Sequence, residues 1–208
     1  MDPVPPKYAA SAPAVAALVR AQPFGWIVSG AGPDARATPL PLRSRLAPGG
    51  QVEALVGHFA RRNPQVEALR QDPRALILML GAHGYVSPSW MADRAQAPTW
   101  NYASAQFQVE IAFMDDGAAL RAVLDDLIGA MEKDRPNPWS AAEMGERYAS
   151  LSRGIIAFEA RVLEARGVFK LGQDERDDVY VDILGGLEGS ELADWMCVTN
   201  PGRGSERA

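Results

Sequence analysis

Two adjacent arginines that follow a Gly-His pair and precede a helix start are the first residues of this chain arranged for chemistry: Gly57-His58-Phe59-Ala60-Arg61-Arg62-Asn63-Pro64. A glycine lets backbone approach closely, and two guanidinium groups can grip a phosphate. Asn63-Pro64 reads as a helix cap with proline at the first helical position, and helix starts favour anions. The cluster therefore suits a phosphomonoester. On residue types alone, solvated loop arginines would look the same. A second concentration is Tyr85-Val86-Ser87-Pro88-Ser89-Trp90, followed by Ala97-Pro98-Thr99-Trp100-Asn101-Tyr102. Flat rings interleaved with hydroxyl and amide groups would cover and orient a planar heteroaromatic ligand. The same residues could instead pin a loop or fill a subunit contact.

Other chemistries lack their residues. His58 and His83 are the two histidines and have no paired helical spacing, which argues against a zinc site. Ser87 and Ser89 lack a nucleophile elbow, and neither a phosphate-binding P-loop nor a GxGxxG fingerprint occurs. One cysteine, Cys197, can form no internal disulfide and points to a reducing, cytoplasmic setting. The longest apolar run, Ala75 to Leu80, is far below the ~20 residues of a membrane span, and the first residues lack a signal-peptide core. Net charge is −5 but uneven: 1–104 holds 10 Lys and Arg against 6 Asp and Glu, whereas 105–208 holds 11 against 20. Anionic small ligands should prefer the first half. Three lysines, an acidic second half and no helix-turn-helix signature argue against direct DNA binding.

The elements that must position these groups follow from pattern. At 208 residues and 47% hydrophobic, the chain can bury a core without disulfides or metal. Ser11 can cap a short helix with Val15, Leu18 and Val19 on one side. Phe24 to Ser29 reads as a strand, and Arg36 to Leu42 as a second in which Pro39 and Pro41 suggest an edge, a bulge or a ligand-facing rim. Val52 to His58 is a third strand, and a helix from Pro64 to Arg70 buries Val66 and Leu69. Ala75 to Leu80 reads as a strand covered on both faces, followed by a long functional loop from Gly81 to Thr99.

Ala105 to Phe113 alternates clearly as a half-buried strand, and Leu120 to Met131 follows the helical period behind Asp115-Asp116. Ser140 to Glu143 is a capping-box pattern that predicts a helix to about Ser152. Strands at Ile156 to Val162 and Val168 to Leu171 and a helix over Tyr180 to Leu187 complete the pattern. Widely spaced strands joined by turns predict a mainly β, α+β fold: an antiparallel barrel with appended helices. The expected organisation is one domain over 1–189 with a helical insertion near 116–152, and a loosely ordered tail over 190–208.

Several rare-residue motifs, in order and spacing, resemble the PaiB-type family of FMN-binding negative transcriptional regulators, related to the flavin-binding split barrels. They are Gly57-His58 with Ala60-Arg61 and Asn63-Pro64; Tyr85 to Trp90; Pro98 to Tyr102; Arg135-Pro136-Asn137-Pro138-Trp139; and Phe158-Glu159 followed by Lys170-Leu171. The resemblance runs from about Lys7 to Leu187. It implies a homodimeric split β-barrel holding flavin mononucleotide at the subunit boundary. Arg61 and Arg62 would be phosphate ligands, and Thr38 and Leu40 would lie along the flavin. His58, Ser87, Trp90, Thr99, Trp100, Asn101, Lys170 and Gln173 complete the implied cofactor-binding set, with no catalytic residue and no metal assigned. A flavin-dependent oxidoreductase is the alternative role.

The chain departs from the family pattern in three places. Thr38-Pro39-Leu40-Pro41 stands where Thr-His-Leu-Pro is usual, Met91 follows Ser-Pro-Ser-Trp in place of tyrosine, and Leu171-Gly172-Gln173-Asp174 replaces Leu-Ser-Gln-Asn. Three lost polar groups, each worth about 0.5–1.5 kcal/mol as a net hydrogen bond, would weaken a flavin by powers of ten if all were contacts. A family member that binds FMN weakly or has lost it is the third reading.

Overall fold

The computed structural model describes residues 4–204. In chain order its elements are α1 (Ala12–Ala21), β1 (Phe24–Ser29), β2 (Arg36–Pro41), β3 (Arg43–Leu46), β4 (Val52–Ala60), α2 (Pro64–Gln71), β5 (Arg74–Val86), β6 (Thr99–Met114), α3 (Gly117–Glu132), α4 (Arg147–Ser152), β7 (Ile155–Lys170), α5 (Asp177–Gly186) and α6 (Glu191–Thr199), with short 3-10 turns between them. The strands form one sheet in the order β2-β1-β5-β6-β7-β4-β3. The registers of β1 with β2 and β5, and of β4 with β3 and β7, are antiparallel. The α+β expectation holds. β2 is an edge strand, where Pro39 and Pro41 remove no necessary ladder bond. Among the described residues, no helix is long and apolar enough to cross a membrane.

The chain divides into two compact units: 12–79 with 106–165, and, within the described residues, 4–11, 80–105 and 166–204. In the first unit Ile27, Leu55, Phe59, Phe107, Ile156 and Phe158 are fully buried. Phe59 packs against Phe113 and Phe158, with ring centroids 6.1 and 5.1 Å away. β6 alternates inward and outward as its sequence demands. α3 starts where Asp116 accepts from the backbone N–H groups of Ala118 and Ala119. The capping box at Ser140 and Glu143 forms, but it opens only a 3-10 turn. Gly145, at φ +54, ends that turn, and α4 begins separately at Arg147. Gly57 makes a close approach here. A Cβ on Gly57 would stand 2.9 Å from the Pro41 carbonyl oxygen and 3.0 Å from the Phe158 ring.

In the second unit the structure differs from expectation in two places. Residues 81–86, expected as loop, continue β5, and the connection to β6 shrinks to 87–98 around a 3-10 turn at Pro88–Trp90. Glycines at 81 and 84 lower strand propensity, and sheet pairing overrides it. Residues 190–204, expected to be loose, contain α6, with Ser190 as its N-cap and Leu192 and Met196 buried. Asn200 donates to the Leu171 carbonyl at 3.0 Å, and Arg203 donates to the carbonyls of Gly172 and Glu175 at 2.9 and 2.6 Å. These long-range bonds are invisible to local pattern. The expected tail over 205–208 lies outside the described residues.

The strands expected at Ile156 to Val162 and Val168 to Leu171 are one continuous strand, β7. The double cover expected for Ala75 to Leu80 is also absent. Leu76 and Leu78 are half-buried and Leu80 is 53% exposed.

Candidate functional site

In the first unit the candidate residues gather where β4 turns into α2. β4 is held by β7, with His58 opposite Ala157 and Phe59 opposite Ile156. The strand ends at Ala60, where the Arg61 N–H donates to Gly154 and the Asn63 N–H donates back to Ala60, both at 2.9 Å. Asn63 then caps α2 by accepting from the Gln65 N–H at 2.9 Å. This tight corner presents Arg61 and Arg62, both exposed, in consecutive positions. Arg61 Nη1 donates to Asp115 Oδ1 at 3.2 Å, and Arg70 Nη2 reaches both oxygens of the same carboxylate at 3.3 and 3.2 Å. The Arg70 guanidinium also lies 5.1 Å from the centre of the Phe113 ring. The two guanidiniums hold the Asp115 carboxyl below the usual carboxylate range. Two cations share one anion, so positive charge is left over, and it is open to solvent. A phosphate fits that corner.

Behind it lies a polar network that the sequence reading missed. The Gln65 side chain is fully buried. Its Nε2 donates to the Ile27 carbonyl at 3.0 Å and Ser29 Oγ at 2.9 Å, with the Arg36 carbonyl at 3.3 Å. Its Oε1 accepts from Thr38 Oγ1 at 2.6 Å, and Thr38 accepts from Asn63 Nδ2 at 3.0 Å. Thr38 therefore spends its proton on Gln65 and ties β2 to α2. Leu40, half-buried on β2, sits opposite Gly25. The available signal was the i, i+4 relation of Gln65 to Leu69, which puts a polar residue on the buried stripe. In sequence, Asp115-Asp116 reads as a helix start. Asp116 is the cap, and Asp115 is the arginine partner.

His58 is half-buried on β4. Burial lowers its pKa, and among the described residues its buried Nδ1 has no hydrogen-bond partner.

In the second unit the aromatic segment runs from the end of β5 to the start of β6. The Ser87 hydroxyl accepts from the Ser89 N–H at 3.2 Å and lies 2.7 Å from the Ser89 hydroxyl, which turns the chain at Pro88. Trp90 is half-buried and Met91 is buried. Trp100 is 51% exposed and stacks on His83, with ring centroids 6.4 Å apart and an interplanar angle of 28°; Tyr85 lies 6.2 Å away. Lys170 Nζ donates to Thr99 Oγ1. Gln173 closes a local turn, accepting from the Leu171 N–H at 2.7 Å and donating to the Phe169 carbonyl. Asn101 is buried; its Nδ2 contacts Met196 Sδ at 3.6 Å, and its Oδ1 has no partner among the described residues.

One departure from the family pattern now has a physical reason. Gly172 adopts φ +80, and a Cβ there would lie 3.1 Å from both Met196 Cε and Tyr180 Cδ2. Serine would be strained at this backbone. Among the described residues, no group of three or more His, Cys, Asp or Glu side chains is placed to hold a metal.

Comparison with known proteins agrees with this reading of the fold. A conserved hypothetical protein, Rv2991, from Mycobacterium tuberculosis superposes with a TM-score of 0.57 at 15% identity, covering 82% of this chain and 93% of that one. An FAD and heme binding protein from Mycobacterium smegmatis superposes with a TM-score of 0.56 at 18% identity, covering 86% and 80%. The fold is the split barrel of the flavin-binding proteins. The chain belongs to the family described as "Putative FMN-binding domain", whose pattern matches residues 4–164. It is similar to the protease synthase and sporulation protein PAI 2 of Bacillus subtilis, at 28% identity over 138 residues, 66% of each chain. An uncharacterized protein of Aspergillus fumigatus is 29% identical over 200 residues, 77% of this chain and 75% of that one.

Proposed function

We propose that this chain is an FMN-binding protein of the PaiB type that acts as a binding or regulatory homodimer. The observation that carries the reading is the β4–α2 corner, where Arg61 and Arg70 share Asp115 and Arg62 stands exposed beside them. Its surplus charge and two adjacent arginine forks suit the terminal phosphate of a mononucleotide. Trp90, Thr99, Trp100, Asn101 and Lys170 supply rings, hydroxyl, amide and cation of the kind an isoalloxazine needs as cover and as hydrogen-bond partners. The unpaired Asn101 oxygen is an acceptor held ready in a buried setting. Thr38 and Gln173 act as supports, since their polar atoms are engaged within the protein. When bound, FMN supplies electron transfer through its ring system.

Self-association is supported by the first unit's sheet. Phe24 and Trp26 on β1 are 59% and 50% exposed, with Pro41 and Pro39 opposite them on β2. Apolar side chains lined up on one sheet face are surface that a second copy would cover. The lone cysteine agrees with a reducing, cytoplasmic setting.

The reading is tested by titrating FMN into purified protein and following quenching of flavin fluorescence, with light scattering for mass. Saturable quenching by a dimer supports it; unquenched flavin overturns it. A flavin-dependent oxidoreductase is the second reading, favoured by His58, whose unpaired buried Nδ1 is a titratable group without a structural bond. Reduction of bound flavin by a nicotinamide cofactor in stopped flow would move the assignment there. Direct DNA binding is disfavoured by an excess of 26 acidic over 21 basic residues. Salt-sensitive, sequence-selective retardation of upstream DNA would reverse that ranking.

A further inference from the structure

The aromatic segment of the second unit is fixed by helices that lie beyond residue 164, where the family pattern ends. The Ala92 N–H donates to Asp182 Oδ2 of α5 at 2.7 Å. Asp93 pairs with Arg176 at 3.1 Å, and Arg176 is itself held by Asp178 at 2.9 Å. Leu192 of α6 approaches Gly84 of β5, and Met196 of α6 meets the Asn101 amide. At the centre of these contacts the Trp90 indole lies directly on Gly186, the last residue of α5. A Cβ built on Gly186 would stand 2.3, 2.5 and 2.6 Å from Cδ2, Cε3 and Cγ of that indole. Such separations are far inside van der Waals contact, which begins near 3.5 Å between carbon atoms.

The backbone does not ask for glycine here. Gly186 is not among the residues with positive φ, and the helical backbone at the end of α5 would accept alanine. Only space explains the residue: the indole occupies the place where a side chain would be.

We propose that Gly186 is a positioning residue for the flavin site, acting through Trp90. By presenting bare backbone, α5 sets the indole's depth and tilt, and with them the aromatic cover that the Ser87 to Tyr102 segment offers a flat ligand. The proposal rests on the flavin reading above. It assigns the chain's last two helices a part in cofactor affinity.

The experiment compares wild type, Gly186→Ala, Trp90→Ala and the double variant by FMN titration and thermal unfolding. Fluorine NMR of 5-fluorotryptophan protein without FMN reads the indole directly, the Trp90 signal among five tryptophans being the one lost in Trp90→Phe. Gly186→Ala should shift the Trp90 resonance and weaken FMN binding by about tenfold, the equivalent of one misplaced aromatic contact. In the Trp90→Ala background the same change should leave FMN affinity unaltered, because the group through which it acts is gone. An unmoved Trp90 resonance overturns the proposal, and so does an equal loss of affinity in both backgrounds, which a general structural effect would give. If wild type fails to bind FMN while Gly186→Ala still shifts the resonance, the flavin reading falls and the placement of Trp90 by Gly186 is supported.

Discussion

Gln65 and Asn101, the most deeply buried side-chain amide of each unit, are used in opposite ways. Gln65, in the first unit, is 0% exposed and engages Ile27, Ser29, Arg36 and Thr38. Asn101, in the second, is 1% exposed, touches a thioether at 3.6 Å and leaves its oxygen unpaired. An amide that satisfies backbone carbonyls on separate strands is part of the framework, since removing it strands several buried polar groups at once. An amide buried with a free acceptor contributes little to folding and keeps that acceptor for a donor from elsewhere. Burial alone therefore does not separate these two uses of an amide; hydrogen-bond saturation does.

The largest expected effect breaks the comparison at its stronger side. Gln65→Leu should lower unfolding free energy by about 3 kcal/mol, because it removes the acceptor of the Thr38 hydroxyl and the side-chain donor to the buried Ile27 carbonyl and Ser29 hydroxyl. Asn101→Leu should cost less than about 1 kcal/mol by the same denaturant measurement, since it removes an already unsatisfied oxygen. Equal losses would erase the distinction. Next in size, Arg61→Ala with Arg62→Ala should weaken FMN binding by about a hundredfold, or about 2.7 kcal/mol from two charge-assisted contacts. Stability should hold within about 0.5 kcal/mol, because the Arg61 ion pair is exposed. Asn101→Leu should also reduce FMN affinity, by about tenfold, and a stable variant with unchanged affinity would return Asn101 to the framework.

The smallest expected effect concerns His58. Burial lowers its folded pKa below 6.5, so the unfolded chain takes up a proton first as pH falls. Stability from this group is complete above about pH 6.5, is lost as pH drops toward the lowered folded value, and is constant below it. Melting temperatures of wild type should fall between pH 7 and pH 5 by more than those of His58→Phe.

Local pattern reached much of this fold. The alternation from Ala105 to Phe113 gave β6, the apolar spacing from Leu120 gave α3, and Asn63-Pro64 gave α2 with its cap. Prolines 39 and 41 left an edge, a bulge or a ligand-facing rim open, and β2 lies at the edge of the sheet. Pattern failed where partners lie far along the chain. The glycines of 81–86 read as loop until sheet pairing held them, and α6 read as tail until its buried Leu192 and Met196 and the bonds of Asn200 and Arg203 defined it. For the site, the arginine pair and the tryptophans stood out by type. Gln65, Asp115 and Gly186 did not, because each acts through a neighbour that no local window contains.

Residue type and spacing by themselves determined the family, the strand and helix inventory around its motifs, and the charge suited to a phosphate. These are properties of short segments, where side-chain period and capping chemistry decide. Which arginine is tethered, which amide is saturated and which glycine seats an indole were decided only by tertiary structure. Hydrogen-bond satisfaction and steric exclusion are relations between residues dozens of positions apart, and folding alone brings those residues within ångströms of one another.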